Sequence, residues 1–301
     1  MTVLLMLTSV GSFAQQVGDG SFEFVNDNPA FSPDSGPAVC IDEAHHNFHT
    51  AEGRYKPFAD LLRSDGYKIV RFDEPFSRDA LGRCDLLVIA NALAEGNAGN
   101  WALPHPSAFT RDELRELLYW VNEGGNLLLI ADHAPLAAAA QDLGAVFGLV
   151  MTNVYTDAKP GADIFDITSQ TLKPHPIIEG RTEGEKINQV MTFTGQAAQI
   201  TQGWESLLVF GPDAVARINT EQSFQEGPRE DWPSFSIEGW VHAAARAWSE
   251  GRIVFFGEAA MCTSQVVGAN KIPIGMNHPD AAQNAQFCLN TVRWLTRVVG
   301  P

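Results

Sequence analysis

The stretch from Val39 to Thr50 reads VCIDEAHHNFHT: an apolar run ending in two carboxylates, Asp42 and Glu43, and three imidazoles, His45, His46 and His49. The chain has only eight histidines in 301 residues, so this is a local excess. Neutral imidazole is the commonest metal ligand, and carboxylates complete the sites of hydrolytic metals. A second pair, Asp132-His133, follows the apolar run NLLLI. His45, His49, Asp132 and His133 are therefore expected to hold a divalent metal ion. Imidazole-dominated ligation suits Zn, whereas carboxylates and loop carbonyls suit Ca. Glu43, Asp132 or His133 would serve as general base toward a metal-activated water. His45 and His49 lie four apart and would share a face on a helix, but Gly53 and the polar run favour a loop. The competing reading is structural, with histidines capping strand ends and Asp132 capping the helix that follows.

Other polar residues fall after apolar runs in the same way. Asn91 ends CDLLVIAN, Glu258 follows GRIVFFG, and Thr194 and Gln196 close VMTFTGQ. His278, in GMNHPDAAQN, precedes the last helix, whose N-terminus would favour an anion. With His46, these are the expected substrate-binding residues. His105 and His175 each precede Pro and read as loop residues, and His242 falls in a hairpin. The nucleophile motifs GxSxG, HExxH and GxxxxGK[ST] are absent from the sequence. A metal-activated water needs no side-chain nucleophile, which favours that chemistry.

The elements that must position these groups alternate. PAVCID (37–42), KIVRFD (68–73), CDLLVIAN (84–91) and NLLLIAD (126–132) read as buried strands. KPFADLLRSDGY (56–67) reads as a helix with Pro57 near its start and Gly66 past its end. TRDELRELLYWVNEGG (110–125) is the clearest helix: Thr110 and Glu113 make a capping box, and Leu114, Leu117, Leu118 and Val121 share one face. A small-residue helix, LAAAAQDLGAVFG, follows. From about 151 to 240 the rhythm breaks into short strands between Pro- and Gly-rich turns, an extension of mixed or antiparallel strands. AAARAWSEGRIVFFGEA reads as a hairpin turning at Ser249-Glu250-Gly251, and a helix over 280–299 opens with Asp280 as N-cap. In a parallel α/β sheet, ligands bind outside the carboxyl ends of the strands, so the four polar strand ends should meet over one crevice.

The net charge of -16, from 36 acidic and 20 basic residues with no basic cluster, speaks against nucleic acid and anionic membranes as partners. A small-molecule substrate fits better. The opening MTVLLMLTSVGSFA reads as a signal peptide over residues 1–14, too short for a membrane span and lacking a basic n-region; a buried first strand is the alternative. Residues 15–36 read as an N-terminal arm, and 37–301 as one α/β domain. The expected location is periplasmic or secreted. Cys40, Cys84, Cys262 and Cys288 form no CxxC pair; Cys262 with Cys288 is the first disulfide to test, with free buried thiols as the alternative.

The stretches IDEAHHNFHTAEGRYKPFADLL, YWVNEGGNLLLIADHAP, HPIIEG and GRIVFFGEAAM, spread over most of 37–300, resemble the class I glutamine amidotransferase-like superfamily. Within it they are similar to trehalose-utilisation-type and related exported bacterial proteins. The resemblance implies a flavodoxin-like three-layer sandwich with a mainly parallel sheet, to which the β-rich insertion is added. In amidotransferases a Cys occupies the elbow after the strand preceded by GG; here that place reads Ala131-Asp132-His133. Thiol-dependent glutamine hydrolysis is therefore not expected. The leading expectation is an exported metal-dependent hydrolase of small esters or lactones, acyl-homoserine lactones among them. The alternative is a carbohydrate-binding or carbohydrate-processing protein using Trp101, Trp204, Trp232 and Trp240 as stacking platforms.

Overall fold

A computed structural model describes residues 16–157, 164–220 and 229–300. The expected signal segment, 1–14, lies outside the described residues. The central sheet has nine strands, numbered here in chain order: β1 Ala38–Asp42, β2 Lys68–Phe72, β3 Leu86–Ala90, β4 Asn126–Ile130, β5 Leu149–Met151, β6 Ala198–Ile200, β7 Glu205–Val209, β8 Val241–Trp248 and β9 Gly251–Phe256. Four helices of two or more turns accompany it: α1 Lys56–Ser64, α2 Arg111–Asn122, α3 Leu136–Val146 and α4 Asn284–Leu295.

The strand order is β2-β1-β3-β4-β9-β8-β6-β5, with β7 also on β8. The five strands β2, β1, β3, β4 and β9 are mutually parallel. In chain order they run 2-1-3-4-5, the flavodoxin-like order whose switch point lies between β1 and β3. The remaining strands join antiparallel, through the hairpin pairing Trp248 with Gly251. Helices α1 and α4 cover one face of the sheet, and α2 and α3 the other. The predominantly apolar strands β3, β4 and β9 are buried along their whole length, because a sheet covered twice has no wet face. The protein is thus a flavodoxin-like α/β sandwich with an insertion.

The insertion supplies β5, β6 and β7 to the sheet edge. It also forms a three-stranded sheet (Tyr155–Asp157, Val215–Arg217, Ser234–Ser236) and a two-stranded one (Ile164–Asp166, Gln189–Met191). Arm residues Gln16–Gly18 pair with Ser264–Val267. The last helix differs from expectation. Residues Pro279–Ala281 form a 3₁₀ turn, with His278 accepting from the Asp280 amide, and α4 begins only at Asn284. Asp280 is therefore not its N-cap; the turn absorbs the residues that the periodicity assigned to helix. Two disulfides close, Cys40–Cys84 and Cys262–Cys288, with Cα–Cα distances of 5.7 and 5.9 Å. The second is the expected pair, and the first ties β1 to the residue that leads into β3.

Candidate active site

The histidine loop leaves β1 at the switch point, and its rings part company there. His45 turns toward the α2 face, where its ring packs 4.5 Å from Phe76 and 4.8 Å from Phe109. Its Nδ1 bonds Asp42 at 2.9 Å and its Nε2 bonds Glu113 Oε1 at 3.0 Å. Burial opposes charge on this ring, but Asp42 and Glu113 together outweigh it and raise the pKa above 6.5. Both ring nitrogens are engaged, so neither is left for a metal. His46 is exposed, with a left-handed backbone at φ 46°. His49 turns to the opposite face, 4.8 Å from the ring of Tyr55 on the α1 side. The shared face suggested by the spacing of four does not form, because the loop crosses the sheet edge between the two rings. Glu43 is also engaged elsewhere: Oε1 accepts from the Ala51 amide at 2.9 Å, and Oε2 pairs with Arg71 at 2.6 Å.

Asn91 joins His49 to Asp132. Just past β3, its backbone sits at φ 55°, a conformation seldom taken by a non-glycine residue and one that clusters at functional sites. Asn91 Oδ1 accepts from the Asp132 amide at 2.9 Å, which leaves Nδ2 to donate to His49 Nδ1 at 3.1 Å. The His49 hydrogen therefore resides on Nε2. Burial pushes its pKa down to about 3, with the Arg54 charge adding to the effect and Asp132 opposing it, so the ring is neutral.

Asp132 and His133 stand at the elbow between β4 and α3. Asp132 Oδ1 accepts from the His133 amide at 2.8 Å, and Oδ2 from the Ala259 amide at 3.4 Å, which brings in the end of β9. The His133 Nδ1–H donates to the Ala134 carbonyl at 2.7 Å. In the neutral ring this tautomer leaves the lone pair on Nε2, which has no described partner, and the ring is half-buried. Tyr155 stacks on that ring at 4.3 Å, and Trp101 approaches its edge at 6.0 Å. Glu258 is fully buried; its oxygens accept from the Ala260 and Met261 amides at 3.0 and 2.8 Å. The Tyr55 hydroxyl donates to the Ala259 carbonyl at 3.0 Å, and burial, then Glu258 and Asp132, raise its pKa.

The remaining candidates divide. Gln196 is spent on structure, donating to the Ala131 carbonyl and accepting from the Thr152 amide. Thr194 lies in the loop against Glu258, its hydroxyl buried without a described partner. Gly195 makes that approach feasible. Its φ is 133°, and a Cβ there would meet the Gly257 carbonyl at 2.2 Å. His278 is drawn toward Phe193 and the 3₁₀ turn. Of the proposed platforms, Trp204 and Trp232 are buried and Trp240 packs against the core, while Trp101 stands beside His133. No sequence signal marks Tyr55, Arg54 or Tyr155, whose hydrogen-bond partners are remote in the chain.

The structure therefore brings together His49, Asn91, Asp132, His133 and Glu258, and takes His45, His46 and Glu43 elsewhere. Among the described residues no three His, Cys, Asp or Glu side chains form a set that could hold a metal ion. What the arrangement offers is acid–base chemistry: an imidazole nitrogen without a described partner, a neutral imidazole N–H and buried carboxylates.

No described protein family matches the chain, and no curated protein sequence does. Solved structures do. The chain is similar to an mmIFT52 N-terminal domain, with a TM-score of 0.61 at 12% identity, covering 86% of this chain and 97% of that one. The cytoplasmic protein STM3548 from Salmonella typhimurium gives 0.52 at 15% identity, covering 86% and 98%. A ThuA-like protein from Bacteroides uniformis ATCC 8492 gives 0.48 at 13% identity, covering 91% and 94%. At such identities the likeness concerns the fold alone.

Proposed function

We propose that this crevice hydrolyses a small ester or lactone, with His133 as general base toward water. The observation that carries the reading is the His133 tautomer: with Nδ1–H held by the Ala134 carbonyl, Nε2 is available to take a proton. Water oxygen bonds to the carbonyl carbon as its proton passes to Nε2. The carbon–oxygen bond to the alcohol then breaks, and the imidazolium returns the proton to the leaving oxygen. The His49 Nε2–H, fixed by Asn91 and neutral, is the donor for the oxyanion that develops between these steps. Asp132, beside both rings, offsets the transient positive charge on His133.

The proposal routes no step through a metal, because His45, expected to ligate one, has both ring nitrogens on carboxylates. The proposal takes the chain as a thiol-less relative of the class I glutamine amidotransferase-like superfamily; the sheet order and the elbow at Asp132-His133 support this. It also places the protein in the periplasm or outside the cell. Two disulfides suit an oxidising compartment, and no described helix is long and apolar enough to cross a membrane.

The test is an ester and lactone panel that includes acyl-homoserine lactones, run with and without chelator. His133→Ala is expected to lower kcat by about 10²–10⁴-fold. Turnover unaffected by His133→Ala and Asp132→Ala rejects the reading. Turnover abolished by chelation and restored by Zn replaces the imidazole base with a metal-bound water. The carbohydrate reading draws on the aromatic walls of Trp101 and Tyr155 around His133. Sugar-dependent tryptophan fluorescence without turnover would favour it.

A further inference from the structure

Arg54 follows the histidine loop and is half-buried on the rim of the crevice. Its guanidinium lies over the Phe48 ring, 4.2 Å from the centroid. Nη1 donates to the Gln16 carbonyl and to Gln265 Oε1, both at 3.2 Å. These contacts fix the guanidinium plane, and none involves a carboxylate. No described residue accepts from Nε or Nη2, the edge whose parallel N–H bonds match a planar oxyanion. In this acidic chain an unpaired arginine calls for a reason; Arg63, Arg71, Arg181 and Arg293 all sit on carboxylates. Of the other arginines without a described ion pair, Arg246, Arg252 and Arg297 lie toward the hairpin end of β8 and β9, away from the site, and Arg111 is exposed on the first turn of α2.

The position ties Arg54 to the chemistry. Phe48 is 5.5 Å from the His49 ring and 5.3 Å from Trp101, which in turn reaches His133. Arg54 is near enough to His49 for its charge to be felt there. An aromatic rim thus runs from a fixed cation to the free imidazole nitrogen. Lys56, two residues on in the first turn of α1, is paired with Asp60, so the single unpaired guanidinium suits a singly charged oxyanion better than a phosphate dianion.

We propose that Arg54 anchors a carboxylate on the substrate, so that the site takes small esters or lactones bearing a free carboxylate group. Phe48 and Trp101 span the interval to the reacting carbonyl. The reaction named here rests on the hydrolytic reading; the anchor itself does not.

The experiment pairs monomethyl with dimethyl succinate as substrates and titrates succinate and inorganic phosphate by calorimetry, on the whole chain. In wild type the monoester is expected to be preferred. Arg54→Gln should cut the ratio of the two kcat/KM values about tenfold or more, mainly through KM for the monoester. Arg54→Lys should recover part of that preference, since the ammonium keeps the charge but loses the fork. A ratio unmoved by Arg54→Gln overturns the anchor, as does phosphate binding in preference to succinate. If wild type turns over neither ester, succinate binding that is lost in Arg54→Gln and partly kept in Arg54→Lys, with melting temperatures maintained, retains the anchor and rejects the hydrolytic reading. Absence of succinate binding at roughly 10 mM in wild type overturns the anchor outright.

Discussion

Four imidazoles of this protein are pushed in opposite directions by their surroundings. His45 is flanked by Asp42 and Glu113, whereas His49, His175 and His242 are buried and held neutral, at about 3, 4 and 4. The unfolded chain protonates all four near 6.5. For the three depressed groups the unfolded state binds more protons below that value. Their contribution is complete above about pH 6.5 and is lost as pH falls toward 4. His45 has the opposite sign: its contribution is present below about 6.5 and lost as pH rises through its raised pKa. Three groups against one predict a urea midpoint that falls between pH 6.5 and 4, and a flat midpoint there would contradict neutral burial. Replacing His45 by Gln leaves Asp42 and Glu113 buried without their cation and is expected to cost about 3–5 kcal/mol in denaturant unfolding.

Among the elements, α2 carries more than its own stability. Glu113 completes the capping box with Thr110 through Oε2, while its Oε1 accepts from His45 and from the Phe76 amide. The helix N-terminus and the histidine loop are therefore one hydrogen-bonded unit. Thr110→Ala should cost about 1 kcal/mol as a lost cap. It should also loosen Glu113 enough to lower the His45 pKa, which NMR titration of the ring would read. The loop 192–196 depends on Gly195 in a comparable way. An added Cβ would strike the Gly257 backbone, so Gly195→Ala is expected to displace the loop from Glu258 and reduce turnover without unfolding the sheet, as circular dichroism would check.

For the whole molecule, two disulfides tie covered strands and helices across sequence separations of 44 and 26 residues. Chain-entropy reasoning assigns each about 3.5–4 kcal/mol, so reduction should lower the melting temperature well below that of the oxidised protein, as calorimetry with and without reductant would show.

Much of the fold was legible in the sequence because its signals are local. Apolar runs marked β1, β3, β4 and β9, the Thr110–Glu113 spacing marked α2, and Ser249-Glu250-Gly251 marked the hairpin. The site was legible only as a set of strand ends: Asn91, Asp132, His133 and Glu258 follow apolar runs, and the parallel order carries them to one rim. Which imidazole serves which purpose was not in the sequence. His45 and His49 are four residues apart, yet one goes to a carboxylate pair on the α2 face and the other to Asn91 on the α1 face. That division turns on Glu113 and Asn91, 68 and 42 residues away, and the plane of Arg54 on Gln16 and Gln265, 38 and 211 away, whereas the tautomer of His133 is set next door by the Ala134 carbonyl. Residue type and local periodicity decide where a strand ends; only the packed sheet decides what a side chain meets there, because its partners come from other strands.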